Sequence, residues 1–218
     1  MTVDAALIDL YDTLVWSDWP RWQRALAGRL GVDVSALLMA FDETRPARSI
    51  GAFADHDGDI AALLSALTIE PTPDLVGAVR ALEERELTND IHLYADSLPA
   101  VQALREHGVR TALVSNCSHN TRAVVERLGL EAAFDAVILS FEVGAQKPEP
   151  EIYRLALERL GITQPSRAVF VDDQADYCDG AAAIGMQTRL MLRPREPVED
   201  FAPSTNGHPV IREMTGLL

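Results

Sequence analysis

Four polar groups with the side chains needed for hydrolytic chemistry are spread along this sequence, each at or just after the end of an apolar segment. They are Asp9, the pair Ser115 and Asn116, Lys147, and the pair Asp172 and Asp173. A carboxylate can attack an electrophile and form a covalent intermediate. Several carboxylates in one place repel each other unless a hard cation such as Mg²⁺ joins them. Lysine and Mg²⁺ together can neutralise a phosphoryl group, and a serine hydroxyl adds a hydrogen-bond donor.

The first of these groups has a second interpretation. Asp9, Asp12 and Thr13 follow one apolar run, and Asp and Thr are also common caps of turns and helices. On these residues alone, a nucleophile or metal ligand and a simple structural cap are both open. The rest of the chain has to separate the two interpretations.

Lysine usage singles out one position. Of 19 basic residues, 18 are arginine, and Lys147 is the single lysine. A compact ammonium differs from the planar guanidinium fork in how it approaches a carboxylate or phosphate. The count is therefore a hint that this position needs a lysine, although chance or ancestry also leaves single residues.

The elements that carry these groups are predicted to form a parallel sheet. The run 5–8 shows no alternation, which is typical of a strand buried on both faces. From residue 91 onward, strands alternate with helices, which indicates a doubly wound α/β core with right-handed crossovers. The predicted strands are 109–115, 136–140, 168–171 and 188–192, and the predicted helices are 97–108, 121–128, 149–160 and 175–184. The carboxyl ends of parallel strands share one edge, where ligands bind, so the four polar groups are expected to converge.

The segment between the first strand and this core reads as a helical insertion. Residues 16–89 contain predicted helices at 20–30, 34–41, 57–67 and 74–87, joined by a polar connection at 42–54. Connections in a doubly wound sheet are normally short, so a segment of this length predicts an inserted domain. We therefore expect a core formed by 1–15 and 90–218 and an all-α cap at 16–89. The tail from Pro194 is expected to be partly loose, with 209–218 packing back onto the core.

Four motifs in this order resemble those of the haloacid dehalogenase superfamily of hydrolases. They are Ile8-Asp9-Leu10-Tyr11-Asp12-Thr13-Leu14, Val114-Ser115-Asn116, Lys147-Pro148, and Val171-Asp172-Asp173. The helical insertion after the first motif is similar to the family's cap domain. Four motifs with suitable spacing are a far more specific signal than any one of them.

The resemblance implies a role for each matching residue. Asp9 would be the nucleophile, Ser115 would bind the transferring group, and Lys147 would hold the nucleophile and the charge. Mg²⁺ would be bound by Asp173 and Asp9 with the backbone carbonyl of Tyr11, and Asp172 would lie beside them. Thr13 and Asn116 would support the site and contact the substrate.

Two positions depart from the phosphatase pattern. The family's phosphatases carry a general acid and base two positions after the nucleophile, where this chain has Tyr11. A tyrosine holds its proton far more tightly than a carboxylic acid. Asp12 is adjacent, but a neighbouring residue at a strand end normally points the other way. In the fourth motif, Tyr177 stands where the family often has another acid, with Asp176 next to it.

These departures leave three functions open. An Asp-x-Tyr motif is typical of the 2-haloacid dehalogenase branch, whose halide leaves without a proton and which uses no metal. The acidic pair Asp172 and Asp173 points instead to Mg²⁺ and a small phosphorylated metabolite, because crowded carboxylates need a cation. A weakly active or non-catalytic binding protein on the same scaffold is the third alternative.

The cap supplies further candidates for substrate binding. Arg45 and Arg48 could hold an anionic substrate by bidentate contacts, or carry ordinary charge on a solvated connection. Trp16, Trp19 and Trp22 could line a pocket, or pack the cap against the core.

Composition excludes several other classes of function. The chain carries 33 acidic and 19 basic side chains, a net charge of −14, which argues against a nucleic-acid partner. No apolar run approaches a membrane span, and no signal-peptide pattern opens the sequence. Two cysteines far apart in sequence are expected to be reduced thiols in a cytoplasmic protein. The five histidines lack zinc-ligand spacing. The expected partner is a small anionic substrate, with the protein a monomer or homodimer.

Overall fold

A computed structural model describes residues 3–194 and 204–217, and its main feature is a six-stranded sheet. The strands of the described chain are β1 (Ala5–Ile8), β2 (Val15–Trp16), β3 (His92–Leu93), β4 (Arg110–Ser115), β5 (Ala136–Leu139), β6 (Ala168–Asp172), β7 (Gln187–Met191) and β8 (Val210–Ile211). The large sheet has the order β5-β4-β1-β6-β7-β8, and every neighbouring pair is parallel. The predicted α/β class with a parallel sheet is confirmed.

The central strand β1 contributes to a separate apolar cluster on each face of the sheet. Ala6 and Ile8 pack into one cluster, whereas Ala5 and Leu7 pack into the other. All four side chains are fully buried, which explains why the sequence shows an unbroken apolar run rather than alternation. Layers on both faces are what a doubly wound fold requires.

Register places the carboxyl ends of three strands side by side. Ile8, the last residue of β1, is opposite Leu113 of β4 on one side and Val171 of β6 on the other. The residues that follow these strands therefore emerge at one edge of the sheet, as the sequence predicted.

The helices agree in position with most of the predicted ones. They are α1 (Trp19–Leu30), α2 (Val34–Ser49), α3 (His56–Ala66), α4 (Pro73–Glu86), α5 (Ser97–Glu106), α6 (Thr121–Arg127), α7 (Leu130–Ala133), α8 (Ser140–Val143), α9 (Pro150–Arg159) and α10 (Ala175–Ala183). Short 3-10 turns cover Thr88–Asp90, Pro165–Arg167 and Met214–Leu217. Helix α1 begins where the Asp18 side chain accepts a hydrogen bond from the backbone of Arg21. It ends at Gly31, whose φ of 68° is left-handed.

The prediction of a polar connection at 42–54 is wrong. Helix α2 continues to Ser49 and includes Pro46, so Arg45 and Arg48 lie on a helix rather than a loop. A proline inside a helix removes one hydrogen bond to the residue four positions earlier. Here that residue is Asp42, and both it and Pro46 are exposed, so water can satisfy the carbonyl that loses its partner.

A small antiparallel sheet joins the two ends of the helical insertion. Strand β2 pairs with β3 through Val15–Leu93 and Trp16–His92. The sequence predicts neither strand, because two-residue strands carry no periodic signal. Helices α1 to α4 lie between them, in agreement with an inserted helical segment. The precise bounds of a cap at 16–89 and a core at 1–15 and 90–218 stay predictions.

The C-terminal part of the described chain adds to the edge of the sheet. Strand β8 pairs with β7, and Met214 is fully buried, as packing of the tail onto the core predicts. The expectation of a loose tail falls largely on 195–203, outside the described residues. Of the helices that the structure describes, none is long and apolar enough to cross a membrane.

Candidate active site

The carboxylate of Asp9 lies at the edge of the sheet, on the wall of a cavity of about 520 Å³. The backbone N–H of Asp9 donates to the carbonyl of Val171 at 2.9 Å, which continues the β1–β6 pairing by one residue. The side chain is buried, with 5% of the residue exposed. Asp9 is therefore fixed in position and still reachable from the cavity.

Lys147 joins two of the carboxylates. Its Nζ donates to Oδ1 of Asp9 and to Oδ2 of Asp172, at 2.6 Å in each case. Burial alone lowers the pKa of Lys147, but the charges of Asp172 and Asp9 outweigh it and raise this pKa above its usual range. The single lysine of the chain thus holds a permanent ammonium between two acids.

Asn116 fixes the loop that carries Lys147. Its side-chain amide donates to the carbonyl of Lys147 at 2.8 Å, and its Oδ1 accepts from the backbone N–H of Lys147 at 2.8 Å. Lys147 and Pro148 are joined by a cis peptide bond. Asn116 also lines the cavity, so its amide both supports the lysine and borders the space next to it.

Asp9, Asp172 and Asp173 bring ligand oxygens within 4.8 Å of one another. Asp172 is fully buried; its Oδ2 is occupied by Lys147, and its Oδ1 accepts from the backbone of Gln174 at 2.8 Å. Asp173 is only partly buried and lines the cavity. Asp9 and Asp173 are therefore the better placed of the three to reach a ligand in the cavity.

The electrostatics of this cluster fit a divalent cation. Burial, reinforced by the charge of Asp172, raises the pKa of Asp9 to about 7, although Lys147 opposes the shift. Burial and the charges of Asp9 and Asp172 raise the pKa of Asp173 to about 8. Acids that resist ionisation because they crowd one another are stabilised by a bound Mg²⁺, whose preferred ligands are carboxylate oxygens.

Tyr11 closes one side of the cavity. Its hydroxyl lies 2.9 Å from Oγ1 of Thr121, and its ring packs edge-on against Trp19 at 5.5 Å. Burial raises the pKa of Tyr11 further above its usual range. The residue at the family's acid position therefore keeps its proton near neutral pH.

The expectation that Asp12 points away from the site is wrong. Asp12 has a left-handed backbone with φ of 58°, which turns the chain sharply after Tyr11. As a result, Asp12 lines the same cavity as Asp9, and its charge helps to raise the pKa of Asp173. The alternation of side chains along a strand does not extend through such a turn.

Thr13 and Ser115 are fully buried behind the cavity wall rather than in it. Their hydroxyl oxygens find no hydrogen-bond partner in the part of the chain that the structure describes. The carbonyl of Thr13 accepts two hydrogen bonds from Arg193, at 2.8 and 3.0 Å. The motif that starts at Asp9 is thus fastened from behind by an arginine near the end of β7.

The two arginines predicted to bind substrate differ in their surroundings. Both line the cavity, but Arg45 is exposed and pairs with Asp42 at 2.9 Å. Arg48 is more buried and donates to Oγ1 of Thr44 and to the carbonyl of Phe41. Among the tryptophans, Trp19 and Trp22 line the cavity, whereas Trp16 is exposed and contacts His92.

Several residues that shape the site are not predicted from the sequence. Arg193, Thr121 and Glu83 belong to no motif, and each reaches the site from a distant segment. The sequence contains no signal for any of the three.

Known proteins are similar to this chain over most of its length. The profile of the haloacid dehalogenase-like hydrolases matches residues 3–185. The chain belongs to this family. It is 32% identical over 152 residues to the glyceraldehyde 3-phosphate phosphatase of Methanopyrus kandleri, covering 69% of this chain and 64% of that relative. It is 30% identical over 161 residues to (S)-2-haloacid dehalogenase 1 of Pseudomonas sp. (strain CBS-3), covering 70% of each.

Solved structures of other proteins share the fold of this chain. A family enzyme from Bacteroides thetaiotaomicron, solved as a magnesium complex, superposes with a TM-score of 0.72 at 21% identity. The match covers 93% of this chain and 98% of that one. This chain is therefore a hydrolase of the family, with both phosphatases and dehalogenases among its relatives.

Proposed function

We propose that this protein is a Mg²⁺-dependent phosphatase that hydrolyses a small phosphorylated metabolite through a covalent aspartyl intermediate on Asp9. The observation that carries the proposal is the cluster of Asp9, Asp172 and Asp173, whose oxygens lie within 4.8 Å of one another. Lys147 neutralises only part of this charge. A dehalogenase that works without metal has no need for the uncompensated acid at Asp173.

Mg²⁺ would be held by Asp9 and Asp173, with Asp172 beside them and the backbone carbonyl of Tyr11 as the ligand implied by the resemblance. When bound, it supplies positive charge that offsets the negative charge on the phosphoryl oxygens. Lys147 contributes a second positive charge, next to Asp9.

In the first half of the reaction, a carboxylate oxygen of Asp9 attacks phosphorus, and the ester P–O bond breaks. Lys147 orients Asp9 for this attack and opposes the effect of burial, which raises the pKa of Asp9. The departing oxygen takes its proton from water, because Tyr11 is a poor acid. In the second half, water attacks the aspartyl phosphate, which releases inorganic phosphate and restores the carboxylate. Because the leaving oxygen takes its proton from water rather than from a protein acid, substrates with good leaving groups are favoured.

The test is phosphate release from 4-nitrophenyl phosphate with and without Mg²⁺. We expect turnover that EDTA abolishes and that Asp9→Asn lowers by at least about a thousandfold. Asp74→Asn, an exposed acid at the start of α4, is the matched control and should keep full activity. Turnover that survives in Asp9→Asn would disprove the covalent mechanism.

A second candidate function is metal-independent hydrolysis of a 2-haloacid, and Tyr11 favours it. Halide leaves as an anion, so a site without a carboxylic acid next to the nucleophile is sufficient. This alternative predicts halide release from 2-chloropropionate that EDTA does not affect. Halide release without phosphate release would replace the leading proposal. If neither product appears, the third alternative, a binding protein on this scaffold, takes its place.

The cellular setting stays a prediction from the sequence. Cys117 and Cys178 are both buried and unpaired, as expected of reduced thiols in the cytoplasm. A small anionic substrate is the expected partner, and the monomer or homodimer state can be measured by light scattering.

A further inference from the structure

A row of aromatic rings lines the cavity from the nucleophile to the cap. The ring centroids of Tyr11 and Trp19 are 5.5 Å apart, those of Trp19 and Trp22 are 6.4 Å apart, and those of Trp22 and Phe41 are 5.2 Å apart. The guanidinium of Arg48 lies 5.1 Å from the centroid of Phe41. All five residues line the one cavity that contains Asp9. A substrate bound at Asp9 therefore shares one cavity with this row and with Arg48.

Arg48 has N–H donors that make no hydrogen bond to the described residues. Its guanidinium carries five N–H donors, and the described residues use two groups, Nε and Nη2, on Thr44 and Phe41. No carboxylate in the described chain lies within ion-pair distance of Arg48. The other cavity cations are engaged, since Lys147 contacts two aspartates and Arg45 pairs with Asp42. A partly buried arginine without a counter-ion is unfavourable unless a ligand provides one.

The neighbouring acids do not fill this role. Glu83, which lines the cavity, accepts from Nε2 of His56 at 2.5 Å. Asp59 accepts from the backbone N–H of His119 and lies 2.8 Å from its Nδ1. The charges of Asp59 and Glu83 nevertheless reach Arg48 and work against the burial that lowers its pKa. Close acids favour a singly charged ligand group over a doubly charged one, since repulsion grows with charge.

Trp22 gives a second, independent indication of a ligand. The residue is 4% exposed, and its Nε1 is buried with no acceptor among the residues that the structure describes. A buried N–H donor is normally paired with an acceptor. Trp22 stands directly before Phe41 and Arg48 in the row. Trp22 and Arg48 line the same cavity, so a ligand oxygen at this end of it is a candidate acceptor for the indole N–H.

We propose that this end of the cavity binds a carboxylate on the substrate, held by the guanidinium of Arg48 with the indole N–H of Trp22 beside it. The substrate is then a phosphate monoester whose planar or apolar body lies along the aromatic row, with the phosphate at Asp9 and the carboxylate at Arg48. The inference rests on the proposed phosphatase function for the orientation of the phosphate. The carboxylate site itself does not depend on catalysis.

The kinetic test compares two substrates with the same shape and leaving group. These are 4-(carboxymethyl)phenyl phosphate and its neutral amide, 4-(carbamoylmethyl)phenyl phosphate. We expect kcat/KM to favour the carboxylate by about tenfold or more, as charge-assisted pairing predicts. In Arg48→Gln this preference should disappear, with Arg48→Lys between the two. Trp22→Phe, which removes the N–H, should reduce the preference less.

Two control variants make the result specific. Arg80→Gln removes an exposed arginine that pairs with Asp57 elsewhere on the cap, and it should keep the full preference. Arg45→Gln should keep it as well. A wild-type ratio of one or below, or a preference that depends on Arg45 instead of Arg48, would overturn the assignment. If Arg48→Gln does not fold, the wild-type ratio and Arg48→Lys decide.

A binding measurement separates this inference from the proposed function. Calorimetric titration of wild-type protein with 4-hydroxyphenylacetate, and with its amide, requires no turnover. If no phosphate ester is hydrolysed but the carboxylate binds more tightly and this advantage is lost in Arg48→Gln, the function fails and the site stands. If phosphate esters are hydrolysed but the acid and the amide bind equally, the site fails and the function stands.

Discussion

Nζ of Lys147 lies 2.6 Å from Oδ1 of Asp9 and 2.6 Å from Oδ2 of Asp172, in a position where 1% of the lysine side chain is exposed. One ammonium therefore connects two strand ends, β1 and β6, that carry negative charge. This arrangement suits a lysine better than an arginine. A branched guanidinium needs more space than a single nitrogen between two oxygens.

Replacing Lys147 with Met leaves two buried acids without their cation. Loss of one partner from a buried ion pair costs about 3–5 kcal/mol, so the free energy of unfolding in urea should fall by that order. Phosphatase activity should be lost at the same time. Arg154→Met, an exposed arginine on α9 with a weak pair at 3.9 Å, should change stability very little. Equal stability of the two variants would contradict a structural role for the ammonium.

The stability of the metal-free protein should decrease as the pH rises. The folded-state pKa values of Asp9 and Asp173, about 7 and about 8, lie above the unfolded values, so the folded protein binds more protons between roughly pH 4 and 8. This contribution to stability is fully present below the unfolded pKa and is lost as the pH passes through the folded pKa. Thermal unfolding in EDTA from pH 5 to 8.5 measures the trend.

Asp173→Asn isolates part of this effect. The variant cannot ionise at this position, so its melting temperature should depend less on pH than that of the wild type. Added Mg²⁺ should stabilise the wild type more at pH 8 than at pH 6, because protons compete with the cation for the carboxylates. A wild-type melting temperature that rises steadily from pH 5 to 8.5 in EDTA would be the opposite of the expected sign.

Gly180 keeps helix α10 close to the lysine loop. A Cβ at this position would lie 2.6 Å from the carbonyl oxygen of Pro148 and 2.8 Å from its Cβ. Gly180→Ala should therefore displace the loop, cost about 1–3 kcal/mol and reduce activity. Gly77→Ala is the matched control, since nothing lies within 4 Å of that Cβ on helix α4. It should raise stability by about 0.5–1 kcal/mol and leave activity unchanged. Similar effects of the two substitutions would rule out the close approach.

Arg193 holds the motif of the nucleophile from behind. It donates to the carbonyl of Thr13 and makes a two-oxygen contact with Asp96 at 2.8 Å. Its side chain is 4% exposed. Arg193→Met should reduce the free energy of unfolding by about 2–3 kcal/mol, the scale of hydrogen bonds to a charged group. It should also lower kcat more than it raises KM, because Thr13 touches no cavity space. An unchanged kcat would show that the motif keeps its position without the arginine.

Tyr11→Asp introduces a carboxyl group two positions after the nucleophile. For an alkyl phosphate, whose alkoxide leaves poorly, the new acid should raise kcat by about a hundredfold. For 4-nitrophenyl phosphate the gain should be small, since that leaving group needs no proton. Tyr11→Phe, which removes only the hydroxyl bonded to Thr121, serves as the control. A gain that is equal for both substrates would argue against a missing acid.

The sequence predicted the parts of this fold that carry local signals. The unbroken run 5–8, the glycines after helices and the polar residues at strand ends were sufficient for the parallel sheet and for the convergence of Asp9, Lys147 and Asp172. The errors arose where tertiary contacts override local preference. The polar composition of 42–54 predicts a connection, whereas helix α2 continues to Ser49 with Pro46 on an exposed, solvated side.

The finer structure of the site was not predictable from one sequence. The left-handed turn at Asp12 brings an acid into the cavity, although Asp is not the residue that usually adopts it. Arg193 and Thr121 contact the first motif from more than 100 residues away, so no spacing rule identifies them. Strands as short as Val15–Trp16 exist only because a distant partner pairs with them.

The pairing of β2 with β3 has a consequence for how such proteins diversify. The chain leaves the sheet beside the nucleophile and returns to it at neighbouring positions, joined by Val15–Leu93 and Trp16–His92. A segment whose ends pair in the same way would replace helices α1 to α4 without changing the pairing of the six parallel strands. Recombination at these two points should therefore exchange the substrate-facing helices between relatives and carry the chemistry over intact.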